Sequence, residues 1–196
     1  MLEALRTLDR QLLLAVNHAH APALDAVMVF ASKRLVWVPA YVLLAAWLAY
    51  AFRRRAALLL PLLGAAVALA DSVTSRVFKP YFARRRPCHD DSVAPLLHLP
   101  WGCGGQFGFL SSHAANSAAL AVFLLLALPA GRYRALKAGA FAWAGLLSYS
   151  RVYLGAHYPT DVLGGAAVGA LLGAGAAGLY RRWAPRLRTH PAPTPR

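Results

Sequence analysis

The sequence predicts an all-α, polytopic membrane bundle of about six transmembrane helices, the first short or irregular, preceded by an amphipathic helix. Three observations predict it. The chain is 59% hydrophobic and 14% charged, a balance too apolar for an ordinary soluble domain. Several apolar runs approach or reach the roughly 20 residues that cross a bilayer. The net charge of +14 is carried mostly by Lys and Arg flanking those runs. The excess therefore reads as loop bias at a membrane rather than as a nucleic-acid footprint, and no nucleic-acid partner is expected.

Residues 3–16 place Leu5, Leu8, Leu12 and Val16 at helical spacing, with Arg6, Asp9 and Arg10 between them. This is the pattern of an amphipathic helix at the interface. The opening MLEALRTLDRQ has no basic region leading into an apolar core, so no removable signal peptide is read. After a break at Asn17–Pro22, Ala23–Ser32 is apolar but short, and is expected to help cross the bilayer as a tilted first helix. Val36–Phe52 is a clear span stopped by Arg53, Arg54 and Arg55. Ala56 to about Phe78 is the next, and residues 79–112 form a long polar loop. Residues 114–128 are apolar and end at Pro129 and a basic turn, residues 131–137. Ala138–Tyr149 is the fifth span and Val162–Tyr180 the last. Arg181, Arg182, Arg186 and Arg188 follow, then a Pro-rich tail, 189–196, expected to be disordered. One membrane-embedded domain, 1–188, is expected, with its motif-bearing core at 56–180. Gly165, Gly169 and Gly173 repeat every fourth residue, as in closely packed membrane helices, although glycine is also simply common in such helices.

The basic clusters at 53–55, 132–137 and 181–188 follow alternate spans and so share one side. By the positive-inside rule that side is the cytoplasm. The loop 79–112 and the stretch SRVYLGAHYPTD, Ser150–Asp161, then share the opposite, outward face. Lys33, Arg34, Lys79 and Arg84–Arg86 run against the rule there, and an anionic ligand is the simplest reason.

Three stretches on that face carry chemistry. In KPYFARRRP, Lys79 and Arg86 are seven residues apart and would share a face if helical. Arg offers a bidentate fork and Lys a point charge to phosphate; a headgroup-binding basic run would look the same. In FLSSHAAN, Ser111 and Ser112 suit a helix N-cap, where free N–H groups favour an anion, and His113 stands beside them as a possible proton donor. In the third, Arg151 lies six residues before His157 and Asp161 four after it. Pro159 opens the last helix. The Asp161 carboxylate could orient the His157 ring as in a nucleophile triad. An Asp cap with an incidental His is the plainer alternative.

Lys-x6-Arg-Pro, then Ser-x-His, then Ser-Arg-x5-His-x3-Asp, in that order and on one face, resembles the type-2 phosphatidic acid phosphatase superfamily. The resemblance covers about 56–180. Within it, the small size and GFLSSHAAN look most like bacterial undecaprenyl-diphosphate phosphatases. It implies a lipid phosphatase with no cofactor and no metal. Lys79, Arg86 and Arg151 look like a cationic phosphate cradle, and Ser111 and the Ser112 amide like further phosphate ligands. His157 looks like the nucleophile, Asp161 its orienter, His113 the general acid. The family's second motif is usually Pro-Ser-Gly-His, and here it reads Leu110-Ser111-Ser112-His113, which leaves the amide contact open. The expected substrate is a lipid phosphate or diphosphate, first undecaprenyl diphosphate. Phosphatidate, phosphatidylglycerophosphate and lipid A are the alternatives. A vanadate-dependent haloperoxidase and a non-catalytic lipid-binding protein are further from the pattern. Lys33 and Arg34 are candidate ligands for a second phosphate. His89, Asp90, Asp91 and His98 lack metal-ligand spacing. Cys88 and Cys103 both lie in the outward loop, and are expected to pair in an oxidising compartment. No oligomeric state is read from the sequence.

Overall fold

The computed structural model describes residues 2–187; the proposed tail 189–196 lies outside the described residues. The architecture is α-helical, and the only β contact among the described residues is an isolated bridge between Arg85 and Phe107. The helices are α1 (Leu2–His18), α2 (Pro22–Ser32), α3 (Val38–Phe52), α4 (Ala56–Ser72), the short α5 (Lys79–Phe82), α6 (Ser112–Ala127), α7 (Arg134–Tyr153) and α8 (Pro159–Trp183). Leu35–Phe82 and Pro159–Trp183 are long and apolar enough to cross a membrane. The first of these folds back at Arg53, whose φ is 51°, so residues of α3 and α4 face one another across a single cavity. A π-helical stretch, Val73–Phe78, carries α4 into α5. The loop expected from residue 79 therefore begins one helical turn later, at Ala83, which takes a left-handed conformation.

Helix α6 is the centre of the bundle and packs on α4, α7 and α8. Its contact with α8 is set by glycine. A Cβ at Gly165, Gly169 or Gly173 would lie 2.4, 2.0 or 2.4 Å from the carbonyl oxygens of Ser111, Ala115 and Ala119. The four-residue glycine repeat is thus a groove in α8 into which the α6 backbone fits. In a solvent as apolar as the side chains, such close van der Waals packing is what holds helices together.

Helix α1 buries Asp9, Leu13 and Asn17, while Leu5, Leu8 and Leu12 remain about half exposed. The expected apolar stripe faces away from the protein, and a stripe holding Asp9 and Asn17 faces in. Helix α2 is bent 117° from α1. Its 11 residues extend about 16 Å, half a hydrocarbon core. Both its ends meet the same end of α7: the Tyr153 hydroxyl donates to Asp25 at 2.8 Å, and the Ser32 and Ser150 hydroxyls are 2.8 Å apart. Residues 23–32 therefore form a short helix, sharply bent from α1 and held against the end of α7.

The groove gives a direct test. Gly169→Ala should lower the melting temperature in detergent by several degrees, because the new methyl meets fixed backbone. Gly175→Ala, where no atom lies within 4 Å of the built Cβ, should leave it unchanged or raise it slightly. Equal effects at the two positions would show that the groove is not tight.

Candidate active site

The turn between α7 and α8 is built for one side chain. Gly155 has φ +64°, and a Cβ there would also lie 2.8 Å from Leu99, so only glycine suits it. The chain then curls back, and the N–H groups of Ala156 and His157 both donate to the Arg151 carbonyl, each at 3.1 Å. The His157 backbone is thus hung from that of Arg151. Pro159 starts α8, and the Asp161 carboxylate accepts from the Tyr158 N–H at 3.0 Å, a cap for the helix start.

His157 is 1% exposed. Burial, then the nearby cations Arg86, Arg151 and Lys79, hold its pKa well below the ordinary histidine value. The imidazole is neutral at physiological pH, which leaves a lone pair available. Its Nδ1 lies 3.6 Å from Asp161 Oδ2 and has no hydrogen-bond partner. The carboxylate that the spacing aims at the ring is close to it, but its hydrogen bonds go elsewhere. Arg84 takes one oxygen, at 2.8 Å, and the Tyr158 amide the other.

Lys79 and Arg86 meet without sharing a helix. Helix α5 stops at Phe82, and Arg86 is extended, with φ −67° and ψ 156°. Its N–H donates to Gln106 O at 3.0 Å and its Nε to Phe107 O at 3.2 Å. The Cys88–Cys103 disulfide, with Cα atoms 5.8 Å apart, ties the two sides of this loop together just beyond. Gly104 leaves room for the guanidinium, since a Cβ there would lie 2.5 Å from it.

At the start of α6 the two serines separate in role. Ser111 is fully buried; its hydroxyl faces the Ala114 N–H at 3.5 Å and its own N–H donates to the Asp161 carbonyl at 2.9 Å. It is occupied as a cap and does not line the cavity. Ser112 does, and its hydroxyl accepts from Lys79 Nζ and from Thr74, each at 2.9 Å.

These groups converge on a cavity of about 610 Å³ lined by Lys79, Arg86, Ser112, His113, Arg151 and His157. Lys33 and Arg34 line its rim. A second cavity of about 580 Å³, mostly apolar, runs between α3, α4, α6 and α7 and shares Ser32, Arg34 and His113 with the first. Among the described residues, the buried side-chain nitrogens and oxygens without a partner belong to His113, Asn116, Trp143, Arg151 and His157. Every one of these residues lines one of the two cavities.

The sequence pattern of the PAP2 superfamily matches residues 58–185. The chain belongs to the PAP2 superfamily. It is 37% identical over 172 residues to a lipid A 4′-phosphatase of Bacteroides thetaiotaomicron, covering 86% of this chain and 75% of that one. It is 28% identical over 154 residues to undecaprenyl-diphosphatase BcrC of Bacillus subtilis, covering 79% and 74%. Its fold matches the crystal structure of a transmembrane PAP2-type phosphatidylglycerolphosphate phosphatase from B. subtilis with a TM-score of 0.69 and 28% identity, over 91% of this chain and 87% of that one. As a PAP2 protein the chain is a phosphatase of the membrane lipid class.

The sequence reading missed Arg84 and Asp9. Arg84 reaches Asp161 at 2.8 Å and Asp9 at 2.6 Å, and its guanidinium lies 4.2 Å from the centre of the Tyr158 ring. Asp9 in turn accepts from the Thr160 N–H at 2.9 Å. Two buried carboxylates thereby share one cation, and α1 is fastened to the start of α8. The available signal was the spacing of Asp9, Leu13 and Asn17, which recur every fourth residue in a stripe beside Leu5, Leu8 and Leu12.

Removing one partner of a buried pair costs about 3–5 kcal/mol, and here a part-exposed Arg84 moderates that figure. Arg84→Gln should therefore lower the melting temperature clearly. Arg85→Gln should not, because Arg85 is exposed and its partner Asp91, at 3.4 Å, is more exposed still. Thermal unfolding in detergent checks both, and an unaffected Arg84→Gln would show that the network is not holding the turn.

Proposed function

We infer that this protein hydrolyses a membrane lipid phosphate or diphosphate through a phosphohistidine on His157. The observation that carries this reading is the meeting of two cavities at His113, one cationic and one apolar. A lipid phosphate has that same division, an anionic head joined to a hydrocarbon tail, and its scissile bond would lie at the junction.

In this reading the neutral His157 ring attacks phosphorus through Nε2, the nitrogen away from Asp161. The bond to the leaving oxygen breaks, and His113 gives that oxygen its proton. Water then hydrolyses the phosphohistidine and releases phosphate. Lys79, Arg86 and Arg151 neutralise the three non-bridging oxygens, and Ser112 adds a hydroxyl contact. Preset charges aimed at the transition state supply most of the acceleration in such transfers. Asp161 acts as an orienting charge behind the ring, held in place by Arg84. The site faces outward, away from the arginine clusters at the other bundle end, following the positive-inside rule.

Undecaprenyl diphosphate is the first substrate proposed. Lys33 and Arg34 stand at the rim of the cationic cavity in addition to the three cradle cations, which suits a second phosphate. A diphosphate also leaves as a phosphate, which asks less of His113 than an alkoxide does. A lipid A-type phosphomonoester is the second reading, supported by the 37% identity to a lipid A 4′-phosphatase.

The test is phosphate release by purified protein in detergent with EDTA, from undecaprenyl diphosphate, a lipid A-type 4′-phosphate, phosphatidylglycerophosphate and phosphatidate. His157→Ala should reduce turnover of every active substrate by at least a thousandfold; a rate within threefold of wild type removes the mechanism. Lys33→Gln with Arg34→Gln should lower kcat/KM for the diphosphate about tenfold or more and leave monoesters nearly unchanged. A panel in which the lipid A-type monoester is the best substrate and the double substitution affects all substrates equally transfers the assignment to the second reading.

The depressed pKa of His157 adds a pH dependence. The ring takes a proton only well below pH 6.5. The acid limb of kcat/KM, corrected for ionisation of the substrate, should therefore fall below pH 6.5. A limb centred at or above that value would contradict a buried, cation-flanked nucleophile.

A further inference from the structure

Away from the catalytic cavities, three potential metal ligands meet where the α1–α2 bend, the long loop and the end of α7 come together. His98 Nε2 lies 2.9 Å from Asp25 Oδ2. The His20 and His98 rings are stacked, with centroids 3.8 Å apart and planes 16° from parallel. One ligand atom from each of His20, Asp25 and His98 lies within 4.8 Å of the others. We propose that His20, Asp25 and His98 bind a divalent transition-metal ion, of which Zn²⁺ is the best fit.

The donor set supports the ion class. Two imidazole nitrogens and one carboxylate oxygen suit zinc, with bonds of about 2.0–2.2 Å, and leave a fourth position for water. Hard ions such as Mg²⁺ and Ca²⁺ prefer oxygen-only shells. Tetrahedral bonds of that length place ligand atoms about 3.4 Å apart. From separations within 4.8 Å the contraction required is at most about 1.4 Å, and the exposed His20 side chain is free to make it.

The surroundings are those of a prepared site. Asp25 Oδ1 accepts from the Tyr153 hydroxyl at 2.8 Å, which fixes the carboxylate and turns Oδ2 towards the rings. The Tyr153 hydroxyl itself accepts from the Ala21 N–H at 3.2 Å. Asn17, fully buried, grips the loop on both sides of the ligand: its amide donates to the His98 carbonyl at 2.8 Å and to the Tyr153 carbonyl at 2.7 Å, and its oxygen accepts from the His98 N–H at 2.8 Å. Outer partners that orient ligands in this way are what separates a metal site from a chance cluster. The stacked histidines need a further cause as well. A lone Asp25–His98 pair would hold the loop without His20, whose imidazole is exposed and has no other assigned work.

An ion here would join α2, the loop and α7 at a point two residues beyond Arg151, outside the catalytic cavities. The site is independent of which lipid is hydrolysed. The experiment is Zn²⁺ titration of metal-stripped, tag-free full-length protein in detergent, with a chromophoric chelator as competitor and thermal unfolding in parallel. The expected result is one equivalent bound at micromolar affinity or better, and a rise in melting temperature with Zn²⁺ but not with Mg²⁺. His20→Ala and His98→Ala should each weaken binding at least tenfold and abolish the rise. His20→Ala is the decisive variant, because it removes a ligand without touching the Asp25–Tyr153 and Asn17 bonds that hold the fold. Absence of saturable Zn²⁺ binding, or binding unchanged in His20→Ala, overturns the proposal and leaves an ordinary Asp–His contact.

Discussion

The site depends on how closely α6 approaches α8. Three glycines let the α6 carbonyls sit where side chains would otherwise be. That approach brings the N-terminus of α6, with Ser112 and His113, against the first turn of α8, with Asp161. The link is direct: the Ser111 N–H donates to the Asp161 carbonyl. Without the groove these two helix starts would be separated by the width of a side-chain layer, and the His113 and His157 rings could not share one cavity. The apolar packing of the bundle and the geometry of the chemistry are therefore a single constraint.

Electrostatics then divides the bundle end. Lys79, Arg86 and Arg151 converge on the cavity, while Arg84, from the same run as Arg86, turns the other way to neutralise Asp9 and Asp161. The neighbours Arg84, Arg85 and Arg86 thus have three fates: one holds a buried network, one faces solvent, one enters the cavity. Alternation in the extended chain after the left-handed Ala83 separates Arg85 from its two neighbours, and the different partners of Arg84 and Arg86 then draw those two side chains apart.

Much of this was legible in the sequence. Long apolar runs, the glycine repeat and the two outward cysteines correspond to an α-helical bundle, a tight helix pair and the Cys88–Cys103 bridge. The three polar stretches do meet at one end. What sequence could not reveal was which partner each polar group takes. Ser111 and Ser112 look equivalent in the chain, but helix capping consumes one of them. Asp161 has the spacing to reach His157, yet Arg84, 77 residues away, holds one of its oxygens. Residues 23–32 are apolar enough to suggest a span, but hydropathy carries no information about the 117° bend before them or about the bonds from Asp25 to His98 and Tyr153. His20, Asp25 and His98 are close only through the bend after α1, which no local pattern announces.

The bond between Asp9 and Thr160 joins residues 151 apart in sequence. In a chain made from its N-terminus, the first helix must wait for almost the whole protein before its polar stripe finds its partner. Contacts of such long range are slow to form, so the anionic network behind His157 is completed only after the last span has been made. A chain cut short before α8 would carry Lys79, Arg86, His113, Arg151 and His157, yet would lack Thr160 and Asp161, the partners that Asp9 and Arg84 take. The backing of the His157 turn is thereby tied to synthesis of the last helix.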